Sequence, residues 1–327
     1  MLPLVSICTP TFNRRPFIRE MVRNFERQLY PKSLMEWIVV DDGSDKISNE
    51  LHSAIAENTT LRYFAIPEKM KLGNKRNFMN SKARGDIIVY MDDDDYYPAE
   101  RVTHAVEMLQ KNPDKICAGT SHLYLYFADK RKMFEYGPYH ANHATAATFA
   151  FRRELLKITC FDDDACLAEE RVFLQNLTIP IVQLDPIKTI LVFPHSHNSF
   201  DKHALFDMPT SNVFRESTQT LDAFIPSHES DTFAFFTEHM HHIIADYPAG
   251  TPANKPDVIE YSAKLKFEHA VSHAVIRQTN YLTQIIQQQT NVIEELQKKL
   301  DTYKEREKKR ITALIEATKK NSTDFVK

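Results

Sequence analysis

Three short runs, Leu4 to Cys8, Trp37 to Val40 and Asp86 to Met91, are largely apolar, and each stops abruptly at a polar cluster. Thr9, Pro10, Thr11 and Asn13 follow the first, Asp41, Asp42, Gly43 and Ser44 the second, and Asp92 to Asp95 the third. Continuous apolar runs of this length suit strands buried on both faces. Pro16 opens a helical pattern to about Leu29 and Pro98 another to about Gln110, so strands alternate with helices. The alternation predicts an α/β fold with a mainly parallel, Rossmann-like sheet flanked by helices. Ligands of such sheets bind beyond the carboxyl ends of the strands, where all three polar clusters fall.

The third cluster is the most demanding. Four adjacent carboxylates in VYMDDDDYYP, residues 89–98, repel one another unless cations sit among them. Asp95 as cap of a helix opening at Pro98 would account for one. Hard oxygen ligands suit Mg²⁺ or Mn²⁺, ions held by one or two carboxylates plus substrate phosphates, so a nucleoside diphosphate is the expected co-ligand. Just upstream, KMKLGNKRNFMNSKAR (69–84) carries six cations. It reads either as a solvated basic loop and helix or as charge balance for a diphosphate, with Arg76 the expected ligand contact.

The chain, at 327 residues, is long enough for a large core plus an appendage, and its net charge of −3 argues against a general nucleic-acid binder. Cys8, Cys117, Cys160 and Cys166 form no metal or disulfide spacing and read as small core residues of a reduced protein. No basic leader and no apolar stretch near the ~18 residues of a membrane span is evident, so a cytoplasmic protein, free or peripheral to a membrane, is expected. Gly43, Gly73 and Gly85, three of only six glycines, fall beside the polar segments and suggest tight turns or close approaches.

Further strands are expected over 116–127, 144–151 and 187–193, with a helix from Leu167 to Leu177. Residues 206–256 have weak periodicity and read as an irregular extension. His239, His241 and His242 there read as helical surface, and Asp162, Asp163 and Asp164 as loop surface. From 257 to 327 the composition turns helical. Leu282, Ile286, Gln289, Ile293, Leu296, Leu300 and Tyr303 recur at steps of four and three, a heptad seam that suits either packing on its own domain or a coiled-coil homo-oligomer through 282–303. Glu307 and Arg310 interrupt it.

PTFNR (10–14), VVDDGS (39–44), GNKRN (73–77), YMDDDDYYP (90–98) and AEERVF (168–173) occur in the order seen in family 2-like glycosyltransferases of the GT-A fold, and residues 4 to 200 resemble that family. The resemblance implies a domain over 1–205, a nucleotide-diphosphate sugar donor of UDP type, a divalent cation, and transfer with inversion to a hydroxyl acceptor on a glycan, protein or lipid. It implies that Thr9 and Thr11 line the base pocket with Asn13 and Arg14 nearby, and that Asp41 bonds a uracil-type imide. Arg76 would contact base or phosphate. Asp92 and Asp94 would be the acids of the DXD motif, toward ribose and metal, with Asp93 and Asp95 able to trade places with them. His195, or His197, would complete the metal or diphosphate shell.

The family's catalytic base lies in a Glu-Asp pair, which Glu169 and Glu170 replace here. Either is a candidate, Glu170 the favoured one; the alternative is a solvated first helical turn, where acids are favoured anyway. The same substitution is the support for another reading, a catalytically degenerate nucleotide-sugar-binding module that oligomerises through its tail. TPTFNRRP lacks the glycine-rich loop a sugar-nucleotide pyrophosphorylase would want. Acceptor specificity is expected around Tyr136 to His143 and in 201–255, with Tyr136, Tyr139, His140 and His143 more ordinary surface than site.

Overall fold

The computed structural model describes residues 1–207 and 213–324. In chain order the first half contains β1 (Val5–Thr11), α1 (Ile18–Glu26), β2 (Met35–Asp41), α2 (Ser48–Ala54), β3 (Thr60–Ala65), α3 (Leu72–Lys82), β4 (Ile87–Tyr90) and α4 (Arg101–Lys111). Then come β5 (Cys117–Gly119), β6 (Leu123–Phe127), β7 (Lys132–Tyr136), β8 (Ala150–Arg152), α5 (Glu170–Phe173), β9 (Ile181–Gln183), β10 (Leu191–Val192) and β11 (Phe214–Glu216). Short helices α6 (Ser230–Ala234) and α7 (Met240–Ala245) flank a π-helical turn, and α8 runs from Pro256 to Asp324.

The expected α/β class is the observed one. Seven strands form the main sheet in the order β3-β2-β1-β4-β8-β5-β9. β1 pairs in parallel with β2, starting Val5 to Met35, and with β4, starting Val5 to Ile87, while β8 runs antiparallel between β4 and β5. Successive side chains of a strand point to opposite faces. Val5, Ile7, Trp37, Val39, Ile87 and Val89 therefore enter one apolar core, and Cys8, Ile38, Val40, Ile88 and Tyr90 the other. Helices cover both faces, which is why these strands read as unbroken apolar runs. From β1 the chain winds outward to β2 and β3 on one side and returns to β4 on the other. In sheets of this kind ligands bind at that reversal, which here lies beyond the carboxyl ends of β1 and β4.

Several expected elements differ. The run 116–127 divides into β5 of the main sheet and β6 of a second sheet, ordered β10-β6-β7-β11. Residues 144–151 give a 3₁₀ turn, Ala146–Thr148, before the short β8, and 187–193 keeps only the two residues of β10. The helix expected over Leu167–Leu177 shrinks to the single turn α5, because Ala168, Gln175, Asn176 and Leu177 adopt left-handed backbone, with φ of 54°, 48°, 53° and 67°. Packing forces that shape: Phe173 stacks on Phe161 at 4.2 Å between centroids, and tertiary burial overrides a weak local preference. Cys8, Cys117 and Cys166 are buried as expected, but Cys160 is exposed.

The compact unit containing the sheets runs from Met1 to Ser262, and the second unit is Ala263–Lys327. The extension after 205 is part of the first unit: Phe224, Ile225, Phe236, Met240 and Ile244 are buried in its core. His239 and His242 are exposed and His241 half-buried on the helical surface expected for them. In the second unit, Leu282, Ile286, Ile293, Leu296, Leu300 and Tyr303 are all exposed on α8. Among the described residues, no helix is long and apolar enough to cross a membrane.

Candidate active site

At the end of β1, Thr9 is buried and its Oγ1 accepts a 2.9 Å hydrogen bond from Trp37 Nε1. Thr11 is likewise buried. Asn13 takes a left-handed backbone, φ 52°, and its amide ties loops together: Nδ2 donates to Ala249 O at 2.9 Å and Oδ1 accepts from Asp45 N at 2.9 Å. A Cβ on Gly43 would stand 2.5 Å from Asn13 N and Oδ1, so that approach requires a glycine.

Beyond β2, Asp41 is 1% exposed, with Oδ1 accepting from Gly43 N at 2.9 Å and Oδ2 from Ile47 N at 3.2 Å and from the Tyr63 hydroxyl. In this structure Asp41 thus holds its own loop together. Asp42 makes a buried ion pair with Lys75 and accepts from Met70 N at 2.6 Å.

The four aspartates separate by environment. Asp92 and Asp94 keep 23% and 13% of their side chains exposed. Asp93 and Asp95 are buried. Arg76, itself 2% exposed over the Tyr90 ring, lies 3.4 Å from Asp92 and donates from Nε to Glu169 at 2.7 Å. Arg14 lies 3.4 Å from Asp93 and 3.2 Å from Asp94. Asp94 also accepts from His195 Nε2 at 3.1 Å and Asn198 Nδ2 at 3.2 Å. Asp95 accepts from Phe193 N at 3.2 Å, and its carbonyl from Asn24 Nδ2 at 2.8 Å. Protein cations therefore answer much of the repulsion that the run of like charges raises.

Titration follows from these surroundings. Burial raises Asp92, with Arg76 opposing, and lifts Asp93 to about 7 against Arg14. Burial and the Asp94 charge hold Asp95 well above the carboxylate range. Asp94 is driven well below it, since His195 and Arg14 outweigh its burial. His195 is lowered to about 4 by burial, so it is neutral at pH 7, and its Nδ1 faces the His197 N–H at 3.2 Å, which leaves the proton on Nε2 to donate to Asp94. His197 is also lowered to about 4 by burial.

Ala168 turns the chain so that Glu169 and Glu170 diverge. Glu169 is buried on Arg76. Glu170 opens α5 half-buried, and burial with the adjacent Glu169 charge lifts it to about 7. Among the described residues no group of three or more His, Cys, Asp and Glu converges to hold a metal unaided. The donor set fits Mg²⁺ or Mn²⁺ when phosphate oxygens complete the shell: two partly open carboxylates on alternate residues, Asp92 and Asp94, with His195 beside the second.

Glu169 to Glu170, Arg14, Arg76, His195 and the aspartates thus form one contiguous set, whereas Tyr136, Tyr139 and His143 form a separate aromatic cluster, with rings 4.8 and 5.1 Å apart. Sequence reading passed over three side chains. Asn198 and Lys75 stand next to His197 and Arg76, whose residue types give the stronger local signal. Lys255, buried and lowered to about 7 by burial and the Arg14 charge, carries no local signal.

The chain is 27% identical over 112 residues to an uncharacterized glycosyltransferase of Haemophilus influenzae, spanning 34% of this chain and 44% of that protein. It is 32% identical over 112 residues to the uncharacterized glycosyltransferase EpsJ of Bacillus subtilis, 34% and 32% of the two chains. With the poly(ribitol-phosphate) beta-N-acetylglucosaminyltransferase TarS of Staphylococcus aureus it shares 26% over 115 residues, 33% and 19%. The chain thus spans under half the length of these relatives. Two solved structures resemble it at low similarity: TarS 1-349 in complex with UDP-GlcNAc, 19% identical over 58% of both chains with a TM-score of 0.46, and the mannosyltransferase PcManGT of Pyrobaculum calidifontis with GDP-Man and Mn²⁺, 20% identical over 58% and 57% with a TM-score of 0.47. Residues 6–160 match the model of Glycosyl transferase family 2.

Proposed function

We propose that the chain is a metal-dependent inverting glycosyltransferase that moves a sugar from a nucleotide-diphosphate donor, UDP-type favoured, to a hydroxyl acceptor on a glycan, protein or lipid. The observation that carries this reading is the Asp92–Arg76–Glu169 bridge, which ties the acidic loop to the turn bearing Glu170, in a chain whose residues 6–160 match the family 2 model. Arg76 occupies Glu169 and leaves Glu170 as the carboxylate with a raised proton affinity. In the transfer, the acceptor oxygen bonds to the anomeric carbon while the bond from that carbon to the diphosphate oxygen breaks, and the acceptor proton passes to Glu170. Mg²⁺ or Mn²⁺, held by Asp92 and Asp94 with His195 or His197 nearby, would supply Lewis-acid stabilisation of the departing diphosphate. Arg14 and Arg76 fix the carboxylates in place.

Donor hydrolysis, measured for UDP- and GDP-sugars with Mn²⁺ and after chelation, tests the reading. Metal-dependent turnover, lost by about 100-fold or more in Asp94→Asn, is expected. Nucleotide binding without any metal-dependent turnover would instead favour the degenerate binding module. We further propose that the exposed seam of α8 pairs with a second copy of the chain, since apolar side chains at heptad spacing bury their stripe best against one another.

A further inference from the structure

We propose that Lys255 contacts the donor's diphosphate, brought to the site by a strap, residues 247–258, that lies outside the stretch matching the family model. This role presupposes the nucleotide-sugar donor proposed above. The strap crosses the polar loops of the site. The Tyr247 hydroxyl donates to Asp45 at 2.6 Å, Ala249 O accepts from Asn13, Gly250 O accepts from Arg14 Nη1 at 3.3 Å, and Asp257 pairs with Lys69. Gly250 permits the closeness, because a Cβ there would stand 2.6 Å from His197 Nδ1 and 2.9 Å from Asn13 O.

Among the described residues, four cations of these loops face carboxylates: Arg14 meets Asp93 and Asp94, Lys69 meets Asp257, Lys75 meets Asp42, and Arg76 meets Asp92 and Glu169. Lys255 differs. It is 5% exposed and feels the Asp93 and Asp94 charges, but among the described residues it pairs with no carboxylate, and its Nζ donates to two neutral oxygens, His197 O at 3.4 Å and Ser199 Oγ at 3.2 Å. Arg14 Nη2 also donates to His197 O, at 2.9 Å, so two buried cations crowd one carbonyl. Among the described residues, the buried Nδ1 of His197 has no hydrogen-bond partner. An ammonium held out of water against neutral acceptors is costly unless an anion joins it. A diphosphate is an anion of the required kind and offers several acceptor oxygens at once. Merely anchoring the strap would not demand a charged group, since the Ser199 and His197 oxygens accept from any donor.

The test is calorimetric titration of uridine, UDP and GDP, each with Mn²⁺, into the wild-type 327-residue chain and into Lys255→Met and Lys255→Arg. Removing the ammonium should weaken the tighter-binding diphosphate about 10- to 100-fold and leave uridine within about 2-fold, while Lys255→Arg retains most of the affinity. Lys255→Gln, which keeps a polar group against Ser199, replaces the methionine variant if circular dichroism shows that one unfolded. Equal losses for uridine and UDP would reduce Lys255 to a strap anchor and overturn the proposal, as would unchanged affinity for both diphosphates. If the wild-type chain binds neither diphosphate, the donor reading falls and this role with it.

Discussion

Glu169 and Glu170 are adjacent in sequence yet chemically distinct, because Arg76 reaches one and not the other. A general base works in its deprotonated form, and Glu170 is raised to about 7 by burial and its neighbour's charge. Turnover should therefore rise with pH through about 7 and fall on the acid side as Glu170 takes up its proton. Glu170→Gln should lower the rate constant by roughly 10²- to 10⁴-fold with little effect on UDP affinity. A pH–rate profile compared with a pH-dependent binding curve checks both, and a profile that is flat between pH 6 and 8 would remove Glu170 from the role. The pairing of the two glutamates is visible as a motif, but the difference in their surroundings is not. It depends on a guanidinium more than ninety positions away in the chain.

The turn carrying these acids shows how an element can be shaped against its own pattern. Ala168 holds φ 54°, a region that costs an L-residue with a Cβ about 1–2 kcal/mol. The exposed side chain makes no compensating burial. Ala168→Gly should stabilise the first unit by up to about 1 kcal/mol and raise its melting temperature by roughly 2–4 °C, with Glu170 left in place and turnover kept. A lower melting temperature in thermal denaturation would show that the left-handed turn is not strained. The helical period across 167–177 was real, but Phe173 finds its partners Phe161, Phe149 and Phe151 only if the chain turns at both ends. The aromatic contacts outweigh a few tenths of a kcal/mol of propensity per residue.

At the scale of the whole molecule, α8 presents its apolar seam to solvent within its own unit. Burying a leucine or isoleucine gains about 1.5–3 kcal/mol, so several seam positions suffice for a stable pair of helices. Sedimentation should find the 327-residue chain as a dimer at micromolar concentration, and Ile293→Lys with Leu296→Lys as a monomer. A wild-type monomer at tens of micromolar would refute the pairing. What the linear chain determined alone was the class of the sheet, since apolar strands covered on both faces leave a local signature, and the position of the polar loops at their ends. The burial of each aspartate, the partner of each acid and the arrival of the strap at Asn13 and Arg14 were decided by tertiary structure, because charge neutralisation and burial act between residues far apart in sequence. No periodicity in the segment around Lys255 marks the contacts that give that residue its surroundings.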